Sequence, residues 1–117
     1  MRLGFVFRSF PHSNTKGREG LDALLAASAY CEDIEVFFLG NGVTQLVKEQ
    51  APKQILSRDY ISAFKLLELY DIEKIYACRT SLLEFNLCSD RFIIDVEVLS
   101  FEEINHRLHN CQKILTF

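Results

Sequence analysis

A chain of 117 residues suits one compact domain, and 49% hydrophobic with 25% charged residues is an ordinary globular composition, which excludes a disordered or low-complexity chain. A net charge of −3 supplies no basic footprint for phosphate backbones, so direct nucleic-acid binding by this chain alone is not expected. The apolar run Leu3 to Phe7, stopped by Arg8, is too short for a signal-peptide core or a membrane span. A cytoplasmic protein is the expectation.

The four cysteines, Cys31, Cys78, Cys88 and Cys111, form no CxxC pair, so neither a thioredoxin-type motif nor a zinc site is signalled. All four are expected as thiols in a reducing compartment. No cofactor or metal is expected.

Leu3 to Phe7 reads as a strand covered on both faces. Pro11 and His12 fall in the loop beyond it, where His12 is read as solvated rather than functional. Ser13, Asn14 and Thr15 are N-cap candidates for a helix from about Gly17 to Cys31, with Leu21, Leu24 and Leu25 at helical spacing. Gly17 and Gly20 fit neither GxGxxG nor a P-loop, so they are read as close packing of helix on sheet.

Ile34 to Leu39 is the second strand, broken by Gly40-Asn41-Gly42 before a short helix around Val43 to Val47. From about Ser57 to Tyr70 comes a helix on which only Ser62, Lys65 and Glu68 interrupt apolar and aromatic residues. Its apolar arc exceeds the roughly 100° that one sheet face can cover. The surplus predicts a subunit interface at Tyr60, Ile61, Phe64, Leu67 and Tyr70.

Ile75 to Ala77 is a short buried strand with Cys78 at its end, and Ser81 with Glu84 is a capping-box signature for a helix to about Asn86. Cys78 is thus placed at the carboxyl end of a strand, where open α/β sheets keep their chemistry. Unpaired amides and Arg79 there would favour a thiolate. The other reading is a small buried hydrophobe. Both readings stand on position alone.

Arg91 to Val98 reads as a strand moving towards an exposed edge. Ser100 with Glu103 is a second capping box, for a helix burying Phe101, Ile104 and Leu108. Glu102, His106 and His109 share another flank and are read as solvated, since no further ligand accompanies them. Lys113 to Phe117 is a last strand. Alternating strands and helices predict a single α/β domain over residues 1–117, small, three-layered and doubly wound (flavodoxin-like), with a mostly parallel five-stranded sheet.

Several stretches carry a resemblance over nearly the whole chain: Gly17 to Ala26, Val36-Phe37-Phe38, Asn41-Gly42-Val43, and above all Arg58-Asp59-Tyr60-Ile61 with Phe64 to Leu67 and Leu69 to Glu73. Pro11-His12 also fits. The sequence resembles the DsrE/DsrF-like family, in particular the DsrF-like, TusC-type subunits of the bacterial TusBCD sulfur-relay complex. The resemblance implies a DsrE-like fold and a dimer of heterotrimers with TusB-like and TusD-like subunits. It also implies passage of persulfide sulfur from a TusA-like donor to a TusE-like acceptor, for 2-thiolation of tRNA wobble uridine. In such complexes the TusD-like subunit carries the sulfur, which assigns this chain a partner role. Direct carriage by Cys78, or a DsrEFH-type subunit of dissimilatory sulfur metabolism, are the alternatives.

Overall fold

The computed structural model describes residues 2–8, 16–46, 67, 70, 72–87, 92 and 94–117. Five strands, β1 (Leu3–Phe7), β2 (Ile34–Phe38), β3 (Ile75–Cys78), β4 (Glu97–Leu99) and β5 (Lys113–Thr116), form one sheet in the order β4-β3-β2-β1-β5. The four pairings among the described strands are parallel, in keeping with the expected mostly parallel sheet. Between them lie α1 (Lys16–Ala27), a 3-10 helix (Gly40–Leu46), α2 (Arg79–Glu84) and α3 (Phe101–His109). The predicted helix from Ser57 to Tyr70 lies outside the described residues except at Leu67 and Tyr70.

The strand order fixes the layers. The chain steps from β1 to β4 in one direction, then crosses back over the sheet to β5. Right-handed crossovers therefore place α1 and α2 on one face and α3 on the other. The first face packs Phe5, Phe7, Val36, Phe38, Ile75 and Ala77 against Leu21 and Leu24 of α1 and Leu82 of α2. The second packs Val6, Phe37, Tyr76 and Cys78 against Ile104 and Leu108 of α3. Period-two alternation along continuous apolar strands produces both cores at once.

Two glycines are dictated by close approach. A Cβ on Gly20 would collide with the rings of Phe7 and Phe117, so α1 seats tightly on the sheet, as expected for helix-on-sheet packing. A Cβ on Gly42 would drive into the Phe7 carbonyl oxygen, which already accepts a hydrogen bond from Leu39 N at 3.1 Å.

Three expectations need correction. Of the strand expected from Arg91 to Val98, the described residues show β4 only at Glu97–Leu99, paired with Tyr76 to Cys78 of β3. Phe92 and Ile94 instead bury themselves in the first core. Phe101, the first residue of α3, is not buried but 52% exposed, whereas Ile104, one turn later, is fully buried. The Ser81–Glu84 cap is not made. Helix α2 starts two residues earlier with Cys78 as its N-cap, and Ser81 Oγ accepts a 2.9 Å hydrogen bond from Gly40 N.

Candidate functional site

Cys78 ends β3, pairing with Leu99 of β4, and turns directly into α2. Its backbone is extended (φ −76°, ψ 122°), as an N-cap requires, and its side chain makes no capping hydrogen bond. Alternation along β3 sends the thiol to the α3 side, the same side as Tyr76. There it is 3% exposed, clustered with Val6, Phe37, Leu39, Leu99 and Ile104. Arg79, the cation named beside it, is exposed. The carboxyl-edge position is thus as the sequence indicates, and the surroundings are apolar.

The other described cysteines differ. Cys31 Sγ donates to Asp33 O at 3.6 Å and Cys111 Sγ to Arg107 O at 3.5 Å, both half-buried and free of disulfides. Burial, reinforced by the Glu35 carboxylate, pushes the Cys111 thiol above its ordinary pKa and keeps it protonated. Cys88 and His12 lie outside the described residues. Of the predicted interface residues, Tyr60, Ile61 and Phe64 also lie outside. Leu67 is fully buried in the first core, and Tyr70 is 52% exposed. Among the described residues no group of His, Cys, Asp or Glu could hold a metal ion. No helix there is long and apolar enough to cross a membrane.

The opposite end of the α3 side holds a charged network that sequence reasoning missed. Glu35 on β2 is fully buried. Its Oε1 accepts a 2.9 Å bond from Arg107 of α3, and Oε2 lies 3.2 Å from Arg2 Nε in an ion pair without accepting a hydrogen bond. Arg107 also sits 4.5 Å from the centre of the Tyr76 ring, a cation–π distance. Arg2 continues to Asp33 at 3.2 Å, and Asp33 to Lys74 at 3.3 Å. Burial alone would lift the Asp33 carboxyl, but hydrogen bonds from Lys74 and Arg2 outweigh it and hold it below its ordinary 3.8. The hydrogen bond to Asp33, aided by its charge and that of Glu35, pushes Arg2 further up. Burial raises the Tyr76 phenol against the opposing pull of Arg107. The one readable signal was a carboxylate inside the apolar run Ile34 to Phe38. Glu35 lies level with Lys74, four residues before Cys78, so Glu35 and Cys78 stand about 13 Å apart along the strands.

Comparison with known proteins agrees with this architecture. The model of the DsrE/DsrF-like family matches residues 1–117. A protein named TusC homolog from Aliivibrio fischeri is 56% identical over 116 residues, covering 99% of this chain and 98% of its own. Protein TusC of Klebsiella pneumoniae is 50% identical over 117 residues, with the same coverage. The crystal structure of the YchN protein from E. coli superposes with a TM-score of 0.84, covering 100% of this chain and 99% of that one, at 18% identity, a likeness of fold. The chain belongs to the DsrE/DsrF-like family.

Proposed function

We propose that this chain is a partner-binding subunit of a TusBCD-type sulfurtransferase complex in the cytoplasm, standing beside TusB-like and TusD-like subunits in a dimer of heterotrimers. The observation that carries this is identity of about one half with TusC proteins over 99% of the chain. In this reading, persulfide sulfur enters from a TusA-like donor, leaves to a TusE-like acceptor, and serves 2-thiolation of tRNA wobble uridine. The TusD-like subunit bears the transfer cysteine. Of the expected contact residues, Tyr60, Ile61, Phe64 and Tyr70 are assigned to subunit contact, and Leu67, fully buried in the first core, is not.

Sulfur transfer requires a thiolate to attack the outer sulfur of the donor's persulfide, forming one S–S bond as the donor thiolate leaves. A thiol 3% exposed beneath α3 has to be uncovered before it can do this, which supports the partner role for Cys78. A second reading makes Cys78 itself the carrier, favoured by its place at a strand's carboxyl end and at the N-cap of α2. A DsrEFH-type role in dissimilatory sulfur metabolism would use the same fold.

Cys78→Ser decides between the first two. In a reconstituted three-subunit complex given a persulfide-loaded donor with labelled sulfur, near-normal transfer to the acceptor is expected. Loss of transfer with assembly unchanged would make Cys78 a carrier.

A further inference from the structure

The two edges of the sheet are finished differently. β4 is three residues long, buries Leu99 and presents the exposed charge of Glu97. Charges and shortness are the usual guards of a free edge. β5 carries Ile114 and Leu115 at 44% and 39% exposure, and its one charge, Lys113, stands at its start.

Strand residues bond alternately to the left and to the right. Lys113 N and Phe117 N donate to Arg2 O and Val6 O of the β1 side, and Phe117 O accepts from Arg8 N. The odd positions of β5 are thus spent on β1. Ile114 and Thr116 direct their N–H and C=O groups outward, where no strand lies among the described residues.

We propose that β5 is the docking edge for a second copy of this chain, the two β5 strands pairing antiparallel about a two-fold axis at Leu115 and joining two five-stranded sheets into one. The edge is self-complementary for this operation. Ile114 faces Thr116 of the other copy, so the two outward positions of each strand satisfy each other's N–H and C=O groups. Leu115 falls opposite its own mate in a non-hydrogen-bonded pair, with Cα atoms about 4.5 Å apart. Two half-exposed leucines then cover each other on one face, and Ile114 packs beside Thr116 on the other. Pairing β5 with the β4 edge of another copy would repeat without closing and bring the Glu97 charge to the junction. The two-fold pairing closes. It stands independently of the sulfur-relay reading, because it uses the backbone and side chains of β5 alone.

The test is a cross-link in the full-length chain, with the native cysteines retained. Leu115→Cys and Ile114→Cys are each expressed, and intact cells and purified protein are treated with a mild thiol oxidant. Linked peptides are then mapped by mass spectrometry. The two-fold places position 115 within disulfide reach of its mate but position 114 opposite 116, so the 115–115 link should form at least about tenfold more readily than 114–114. Thr116→Pro removes an outward N–H and spares every bond to β1. It should weaken the dimer by about tenfold or more in sedimentation, since the symmetric interface loses the bond twice. Equal linkage at both positions, linkage of position 115 to a different protein, or a folded monomer with no 115–115 link overturns the proposal. Should Thr116→Pro fail to fold, the cross-link pattern decides alone.

Discussion

The two ends of the α3-covered face are built on opposite principles. At the amino end, Glu35, Arg2, Arg107 and the Tyr76 ring hold α3 through charge, with Glu35 fully removed from water. At the carboxyl end, Val6, Phe37, Leu39, Cys78, Leu99 and Ile104 hold it by apolar packing, with no charged group among them. The difference teaches where specificity and where adaptability sit. A buried carboxylate with two guanidinium partners tolerates one register of α3, because any other strands a charge in the interior. An apolar cluster tolerates small shifts. Cys78 lies in the tolerant half, and Tyr76, two residues earlier on the same strand, touches both halves.

Removing the charge anchor should give the largest effect. Arg107→Ala leaves Glu35 short of its 2.9 Å donor and should cost about 3 kcal/mol in urea unfolding, near the lower end for a broken buried pair because Arg107 is itself part-exposed. Glu35→Gln should cost less, and the pair of changes together less than the sum of the two, since the second removes the charge that the first strands. Strict additivity would show that the pair is not coupled.

Cys78→Ser probes the other half. A hydroxyl replaces a thiol among apolar side chains that offer it no partner, so a loss of about 1–2 kcal/mol is expected by the same measurement. A value near zero would mean that water already reaches the thiol, and would erase the contrast between the two ends.

The smallest effect belongs to the exposed fringe of the network. Because Asp33 has its pKa depressed in the folded chain, the stability it adds is complete above the ordinary value of 3.8 and is lost as pH falls below it. Asp33→Asn should therefore destabilise modestly at pH 7 and flatten the decline between about pH 5 and pH 3. Parallel acid limbs for the two proteins would remove Asp33 from the account.

Much of this frame is legible in the residues. The apolar runs at Leu3 to Phe7, Ile34 to Phe38 (broken only by Glu35) and Ile75 to Cys78 mark strands buried on both sides, and those three form the centre of the sheet. Ser100 with Glu103 makes its capping box, the hydroxyl accepting from Glu103 N at 3.2 Å. The same signature at Ser81 and Glu84 misleads, because tertiary structure gives the Ser81 hydroxyl to Gly40 N, a donor 41 residues away. The charge network is illegible for a related reason. Glu35 looks like a lone interruption of a strand, and nothing local tells that Arg107, 72 residues further on, arrives above it. Short-range signals name the elements, while the partners of buried polar groups are decided by topology.

The position of β1 carries a consequence for how the chain is made. β1 is paired on both sides, with β2 close behind it in sequence and with β5 at the far end, Gly4 aligning with Ile114. One flank of β1 therefore waits until β5, more than a hundred residues further along, has been synthesised. Until then the outward backbone of Gly4 and Val6 is an unfilled edge, and the last ladder closes a loop of more than a hundred residues at an entropic cost that slows it. The late ladder finishes an edge of the sheet, and β1, which ends as an interior strand, is itself the edge until β5 arrives.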